Sequence, residues 1–127
     1  ILGTPIYMPP EIFEGETATE SSDVYSFGAT IYHLATGSPP FVGESTNDLY
    51  KKHLSKIPDP IRKFRSDIPF EFDEIICGKC LAKVPSDRPK SIDIVTDELK
   101  KFITNLNHRK DSSLNEKTQT IRAEEKK

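Results

Sequence analysis

The sequence predicts a mainly α-helical domain, and three observations lead to that class. Apolar residues recur at the spacing of a helix in four separate segments of the chain. The ten prolines fall between those segments, where they mark helix ends and loops. No stretch shows the sustained apolar–polar alternation that is typical of a half-buried strand.

The first two helical elements follow from local residue chemistry. Prolines at positions 5, 9 and 10 predict a loop at the front of the chain, followed by one short helical turn that stops at Gly15. The spacing of apolar residues then predicts a helix from Asp23 to Ala35, with Ser21 or Ser22 as its N-cap. Gly37 and the two prolines after it predict where that helix ends.

The rest of the chain predicts three more helices and a tail. The helices are expected at 46–54, at 72–81 and from Ser91 onward, and residues 57–69 are expected to be mostly loop. We expect one domain over residues 1–106. Beyond residue 106 the helical periodicity disappears and the residues are polar, so 107–127 is predicted to be a disordered tail or linker.

Composition narrows the classes of function. The chain has 127 residues and a formal net charge of −2, which gives no basic field for nucleic acid or an anionic membrane. No apolar run approaches the length of about 20 residues that spans a bilayer. Two cysteines are too few for a disulfide framework and fit a reducing compartment, so a cytoplasmic location is expected.

The sequence supports neither a metal site at its cysteines nor a metal or catalytic role for its histidines. Cys77 and Cys80 have C-x-x-C spacing, but no second cysteine pair or suitably spaced histidine completes a zinc site. The three histidines are scattered, and none is assigned to a metal or to catalysis. We expect His33 and His53 to lie on helix surfaces.

Three segments in a fixed order carry a family resemblance. They are Gly3 to Glu11, which ends in P-P-E, then Ser22 to Gly28 with the T-G-S-P-P-F run after it, and Lys79 to Pro89. Together they resemble the C-terminal lobe of eukaryotic-type serine/threonine protein kinases. The sequence from Lys52 to Pro89 is more similar to the bacterial members of this family. The resemblance covers roughly Gly3 to Phe102, and it implies the C-lobe portion of the bilobal kinase fold.

The resemblance also implies roles for individual residues. Glu11 and Arg88 are expected to form a buried ion pair that ties the end of the activation segment to the lower lobe. Asp23 is expected to accept backbone hydrogen bonds from the H-R-D catalytic loop. The substrate-binding residues implied by the family are Gly3, Thr4, Pro5 and Tyr7, and Thr4 in its G-T-P context favours a serine/threonine acceptor.

The family's catalytic motifs are absent from these 127 residues: there is no G-x-G-x-x-G, V-A-I-K, H-R-D-x-x-x-x-N or D-F-G. The resemblance therefore implies an intact parent that uses ATP and magnesium to phosphorylate protein substrates, and a fragment that is inactive alone. Expected partners are those substrates and the missing N-lobe and catalytic loop of the same domain, with no nucleic acid and no membrane segment in this chain. Self-association of the fragment is expected as well.

Two alternatives remain open at this point. The first is a pseudokinase-like regulatory or protein-binding module, and the second is an unrelated small helical domain with chance motif matches. Membrane anchoring of the full-length protein also stays open.

Overall fold

The computed structural model describes residues 5–125. Within that range the chain folds into α1 (Pro10–Phe13), α2 (Glu20–Thr36), α3 (Thr46–Ser55), α4 (Phe70–Asp73) and α5 (Ile92–Glu125). A π-helical segment, Glu74–Cys80, continues directly from α4, and 3₁₀ turns occupy Pro5–Tyr7, Ile61–Lys63 and Pro85–Asp87. No strand occurs between residues 5 and 125, so the predicted mainly α class is confirmed.

Helix α2 forms the centre of the fold. Val24, Tyr25 and Ala29 on this helix have no exposed surface, and α2 packs against the π-helical segment. Gly28 permits that packing, because a Cβ atom at this position would lie 2.6 Å from the Cβ of Cys80. The helix predicted over Asp23–Ala35 is therefore present and is buried on several sides.

The ends of α2 show one difference from the sequence prediction. The N-cap is Thr19 rather than Ser21 or Ser22, because Thr19 and Ser22 form a reciprocal capping box. The backbone N–H of Ser22 donates to Thr19 Oγ1 at 3.3 Å, and the Thr19 N–H donates to Ser22 Oγ at 3.1 Å. At the other end, Gly37 has the expected left-handed conformation with φ of 85°.

The middle of the chain contains the expected helices and loop. Ser45 caps α3 by accepting the Asp48 N–H at 3.0 Å. The loop before α4 is held by Asp73, whose carboxylate accepts the N–H groups of Ile61 at 2.6 Å and Arg62 at 3.0 Å. This bond pair closes the 3₁₀ turn at Ile61–Lys63 against the core.

The last helix does not end near Leu106 as expected but continues to Glu125, where a disordered tail or linker was predicted. The physical reason is helix propensity, because residues 107–125 contain no proline or glycine and many long unbranched side chains. All of these residues are exposed, so an apolar stripe did not signal this extension. An ion pair of 3.2 Å between Arg109 and Glu71 links the start of this extension to α4.

Of the helices between residues 5 and 125, none combines the length and apolar character that crossing a bilayer requires.

Candidate functional site

A buried ion pair joins the front of the chain to the turn that precedes α5. Glu11 lies on the single turn of α1, which Pro10 begins, and Arg88 directly follows the 3₁₀ turn Pro85–Asp87. Arg88 Nη1 donates to Glu11 Oε2 at 2.7 Å, and Arg88 Nη2 donates to Glu11 Oε1 at 2.9 Å. The Arg88 side chain is 0% exposed and that of Glu11 is 9% exposed, so this is a desolvated, two-pronged pair.

The guanidinium of Arg88 has a partner for each of its five N–H groups. Two N–H groups meet Glu11, and the other three donate to backbone carbonyl oxygens of Ser21 at 3.1 Å, Ala82 at 2.7 Å and Lys83 at 3.2 Å. Ser22 Oγ donates to Glu11 Oε2 at 3.0 Å from the first turn of α2. The pair therefore connects α1, the start of α2 and the turn before α5 through one hydrogen-bonded network.

The network keeps Glu11 ionised. Burial on its own would raise the pKa of Glu11, but the hydrogen bonds and charge of Arg88, with bonds from Ser22 and the backbone, outweigh it and lower the pKa below its ordinary value of 4.5. The guanidinium also lies over the ring of Tyr25, with 4.8 Å from the Arg88 Cζ atom to the ring centroid. Tyr25 is fully buried, and burial raises the pKa of its hydroxyl far above the ordinary value of 10.0.

His53 was predicted to lie on a helix surface, and this prediction is wrong. The structure places His53 in the core beside this network. Its side chain is fully buried, and its Nδ1 atom hydrogen-bonds the Tyr25 hydroxyl at 2.7 Å. The rings of Phe13 and Phe41 pack around it with centroids at 5.6 and 5.0 Å. Burial, together with the charge of Lys83, lowers the pKa of His53 to about 4, so the imidazole is neutral. Its Nε2 atom has no hydrogen-bond partner in the part of the chain that the structure describes.

The segment predicted to bind substrate lies along α2. Gly3 and Thr4 fall outside the described residues, whereas Pro5 and Tyr7 form the 3₁₀ turn that leads into Met8. Ser26 Oγ on α2 donates to the carbonyl oxygen of Tyr7 at 2.9 Å, and the Tyr7 hydroxyl hydrogen-bonds His33 Nδ1 at 2.6 Å. The turn is thus joined to α2 at two points.

Asp23 lies apart from the Glu11–Arg88 network. It is exposed on the first turn of α2, where it borders a shallow depression lined by Glu20, Ser91, Ile92 and Asp93. A carboxylate in the first turn is favourable because of the helix dipole.

Comparison with known proteins places this arrangement in a family. A family profile described as the protein kinase domain matches residues 1–113. The chain belongs to the protein kinase family. The serine/threonine-protein kinase PknB of Mycolicibacterium smegmatis is 39% identical over 88 residues, which cover 69% of this chain and 14% of that kinase. PkaA of Streptomyces coelicolor, a serine/threonine-protein kinase, is 40% identical over 90 residues, with coverage of 71% and 16%.

A third kinase relative is the DNA damage-responsive serine/threonine-protein kinase RqkA of Deinococcus radiodurans. It is 40% identical over 91 residues, which cover 71% of this chain and 13% of the relative. These relatives are bacterial serine/threonine kinases, so the predicted resemblance to bacterial eukaryotic-type kinases is confirmed. The chain spans only 13–16% of the length of these three kinases.

Of the two cysteines of this kinase chain, Cys80 is buried and Cys77 is half-buried. Cys80 is fully buried, and Cys77 Sγ lies 3.6 Å from Asp73 Oδ1 in hydrogen-bonding geometry. Burial raises the pKa of each thiol to about 12. Between residues 5 and 125, no three His, Cys, Asp or Glu side chains are grouped so that they could hold a metal ion.

The kinase motifs in the sequence did not predict the two tyrosine–histidine hydrogen bonds of the site. Neither the Tyr25–His53 bond nor the Tyr7–His33 bond follows from those motifs. One signal was present in the sequence: His53 follows Leu49 by four residues, which places both on one face of a helix. The structure buries both side chains.

Proposed function

We propose that the protein containing this chain transfers the γ-phosphoryl group of ATP to serine or threonine residues of protein substrates. In this proposal the chain supplies the substrate-side segment and the helical scaffold beneath it. The observation that carries the proposal is the buried Glu11–Arg88 pair. It joins the segment that ends at α1 to the turn before α5, and this is the contact that the kinase resemblance implies for an ordered substrate-side segment.

The roles of individual residues follow from that assignment. Gly3, Thr4, Pro5 and Tyr7 contact the substrate peptide around its acceptor residue, and Thr4 in the G-T-P context selects serine or threonine. Asp23 accepts backbone hydrogen bonds from the catalytic loop of the same kinase domain. Its exposure on the first turn of α2 supports this role, because the carboxylate is available to a neighbouring segment.

Magnesium and ATP belong to the intact kinase in this proposal. The 127 residues contain none of the motifs that hold the phosphates or the metal, and the described residues offer no group of three metal-ligating side chains. We therefore place no nucleotide or magnesium ligand in this chain, and we expect the isolated chain to be inactive.

The remainder of the kinase domain is the expected partner of the outer face of α2. Leu34 on this helix is 78% exposed, and Phe27 and Ile31 are only partly buried. Exposed apolar surface of this kind promotes association when its natural cover is missing. The isolated chain is therefore expected to self-associate, and the Leu34→Glu variant is expected to do so less in sedimentation experiments.

A phosphotransfer assay tests the proposed activity. The full-length protein is incubated with radiolabelled ATP, magnesium and matched peptides whose acceptor is serine, threonine or tyrosine. We expect phosphate on the serine and threonine peptides, a strong loss of transfer in Glu11→Ala, and little change in Glu44→Ala, which removes an exposed carboxylate. Equal transfer to the tyrosine peptide, or none to any peptide, would contradict the proposal.

A calorimetric titration tests the second part of the proposal. ATP with magnesium is titrated into the isolated 127-residue chain, and no stoichiometric binding heat is expected. Binding at one nucleotide per chain would show that the nucleotide site had been assigned to the wrong part of the kinase.

A further inference from the structure

We propose that Lys83 is a site of lysine acylation, where the side-chain amine takes the acyl group of an activated carboxylic acid, either an acyl phosphate or an acyl thioester. Lys83 lies between the π-helical segment that ends at Cys80 and the 3₁₀ turn Pro85–Asp87. The inference goes beyond the proposed phosphoryl transfer, in which this amine has no part. What distinguishes Lys83 is the set of groups around its ammonium.

The ammonium group of Lys83 faces an aromatic ring and one carbonyl oxygen. Its Nζ atom lies 4.4 Å from the centroid of the Phe41 ring, and Phe41 is buried. Nζ also donates to the backbone carbonyl oxygen of Lys52, near the end of α3, at 3.3 Å. Lys83 is half-buried, so its side chain has lost part of its water shell but keeps some surface at which a small reagent can approach.

No negative charge compensates the ammonium of Lys83. Each ion pair formed between residues 5 and 125 has another cation as its positive partner. Glu11, the carboxylate of the buried network, is occupied by two bonds from Arg88. Arg88 Nη2 donates to the Lys83 carbonyl oxygen at 3.2 Å, so a permanent cation lies beside the same residue. The other titratable neighbour is His53, whose imidazole is neutral.

Desolvation and a neighbouring cation are the two conditions that make a lysine nucleophilic near neutral pH. Burial, together with the charge of Arg88, lowers the pKa of Lys83 from 10.5 to about 8. At pH 8 about half of the Lys83 amines are then neutral, about 150 times the fraction for an ordinary lysine. A less basic nucleophile is also less reactive, by about half a logarithmic unit per pKa unit in thiol chemistry, so the expected net gain in rate is about tenfold.

The acyl transfer is a simple substitution at a carbonyl carbon. The lone pair of the neutral Nζ atom attacks the acyl carbon, and a C–N amide bond forms. The C–O bond to phosphate, or the C–S bond to the thiol, breaks and its electron pair leaves with the phosphate or the thiolate. The surplus proton on Nζ passes to water. The product is a neutral amide, so the cation that faces Phe41 and Arg88 is removed.

The test measures acetylation of each lysine in the full-length protein by peptide mass spectrometry. The protein is exposed for timed intervals to acetyl phosphate or, in a separate arm, to acetyl-coenzyme A. Two lysines near Lys83 serve as matched controls: Lys90 is exposed, and Lys79 forms an ion pair with Glu98 at 3.1 Å. A short lysine-containing peptide in the same tube provides an ordinary amine, and parallel samples in guanidinium chloride remove the fold.

At pH 8 we expect Lys83 of the folded protein to be acetylated about tenfold faster than Lys90, Lys79 and the reference peptide. Its rate should rise with pH and level off above about pH 9, where nearly all of its amine is neutral. In guanidinium chloride the rates of the three lysines and the peptide should converge. Lys83→Arg should remove the fast site and leave the rates at Lys90 and Lys79 unchanged.

A Lys83 rate no higher than that of Lys90 with both donors would overturn the inference. A preference for Lys83 that persists in guanidinium chloride would also overturn it, because the preference would then come from local sequence and not from the fold. A Lys83 rate that still rises steeply at pH 10 would show an ordinary amine, with the same consequence. A preference with only one donor supports the site and identifies the class of acyl donor. The readout does not depend on phosphate transfer, so failure of the proposed function would leave this test intact.

Discussion

Replacing Arg88 with alanine should strongly destabilise the chain, because the substitution leaves a buried carboxylate without its counter-charge. Glu11 would keep only the bond from Ser22 and those from the backbone, and three backbone carbonyl oxygens would lose their donor. Breaking a buried ion pair by removing one partner typically costs about 3–5 kcal/mol. The small size of the domain makes such a loss a large part of its total stability.

The chain contains a matched control for this prediction. Arg65 makes a similar two-pronged contact with Asp67, at 2.9 Å from Nε and 2.7 Å from Nη2, but its side chain is 48% exposed. Arg65→Ala should therefore cost about 1 kcal/mol or less, because exposed pairs are screened by water and salt. The free energy of unfolding is measured by urea denaturation followed by circular dichroism, for the unaltered chain and both variants at neutral pH.

The pH dependence provides a second check on the same pair. The pKa of Glu11 lies below 4.5 in the folded chain, so its contribution to stability is fully present above about pH 4.5 and is lost as the pH falls through the lowered value. Arg88→Ala should weaken this acid sensitivity. Equal costs for Arg88→Ala and Arg65→Ala, or a cost below about 1 kcal/mol for Arg88→Ala, would refute the assignment of the pair to a desolvated site.

Three further predictions concern the core. The pKa of His53 is about 4 in the folded chain and 6.5 in the unfolded chain, so its contribution to the free energy of unfolding should be full above pH 6.5. That free energy should fall by about 2 kcal/mol as the pH is lowered from 7 to 5. In urea melts, His53→Leu should flatten this pH dependence. Gly28→Ala should destabilise by about 1–3 kcal/mol because its Cβ would meet Cys80, whereas Gly78→Ala, with nothing closer than 3.9 Å, should be close to neutral in the same melts. Because the pKa of both thiols is raised, Cys77 and Cys80 should react slowly with a disulfide reagent at pH 7 in the folded chain and rapidly in urea. Fast labelling of the buried Cys80 without denaturant would contradict this prediction.

Local signals in the sequence were sufficient for the helices that have clear ends. Gly37 and the prolines after it predicted the end of α2, and apolar spacing predicted its buried faces. The motif resemblance predicted which carboxylate and which guanidinium meet across 77 residues, since no local pattern relates Glu11 to Arg88. The N-cap at Thr19 was missed because several hydroxyl residues in a row can cap equally well by sequence alone.

Two other features were not predicted from the sequence, for different reasons. The burial of His53 depends on Tyr25, which is 28 residues away, and a histidine at helical spacing is counted as polar whether or not such a partner exists. The extension of α5 to Glu125 depends on backbone propensity rather than on an apolar stripe, so a prediction based on periodicity places the end of the helix near Leu106.

The two tyrosine–histidine bonds around α2 have the same chemistry but different surroundings, and this difference sets how much each bond contributes to stability. The Tyr25–His53 bond is buried beneath the guanidinium of Arg88, so its loss would leave unpaired polar atoms in the core and should lower the free energy of unfolding. The Tyr7–His33 bond is only partly buried, so water can replace either partner at small cost. Burial therefore predicts a lower free energy of unfolding for His53 variants and an unchanged one for His33 variants in urea melts. The reverse pattern would mean that the segment before α1 contributes more to the stability of the fold than the buried face of α2.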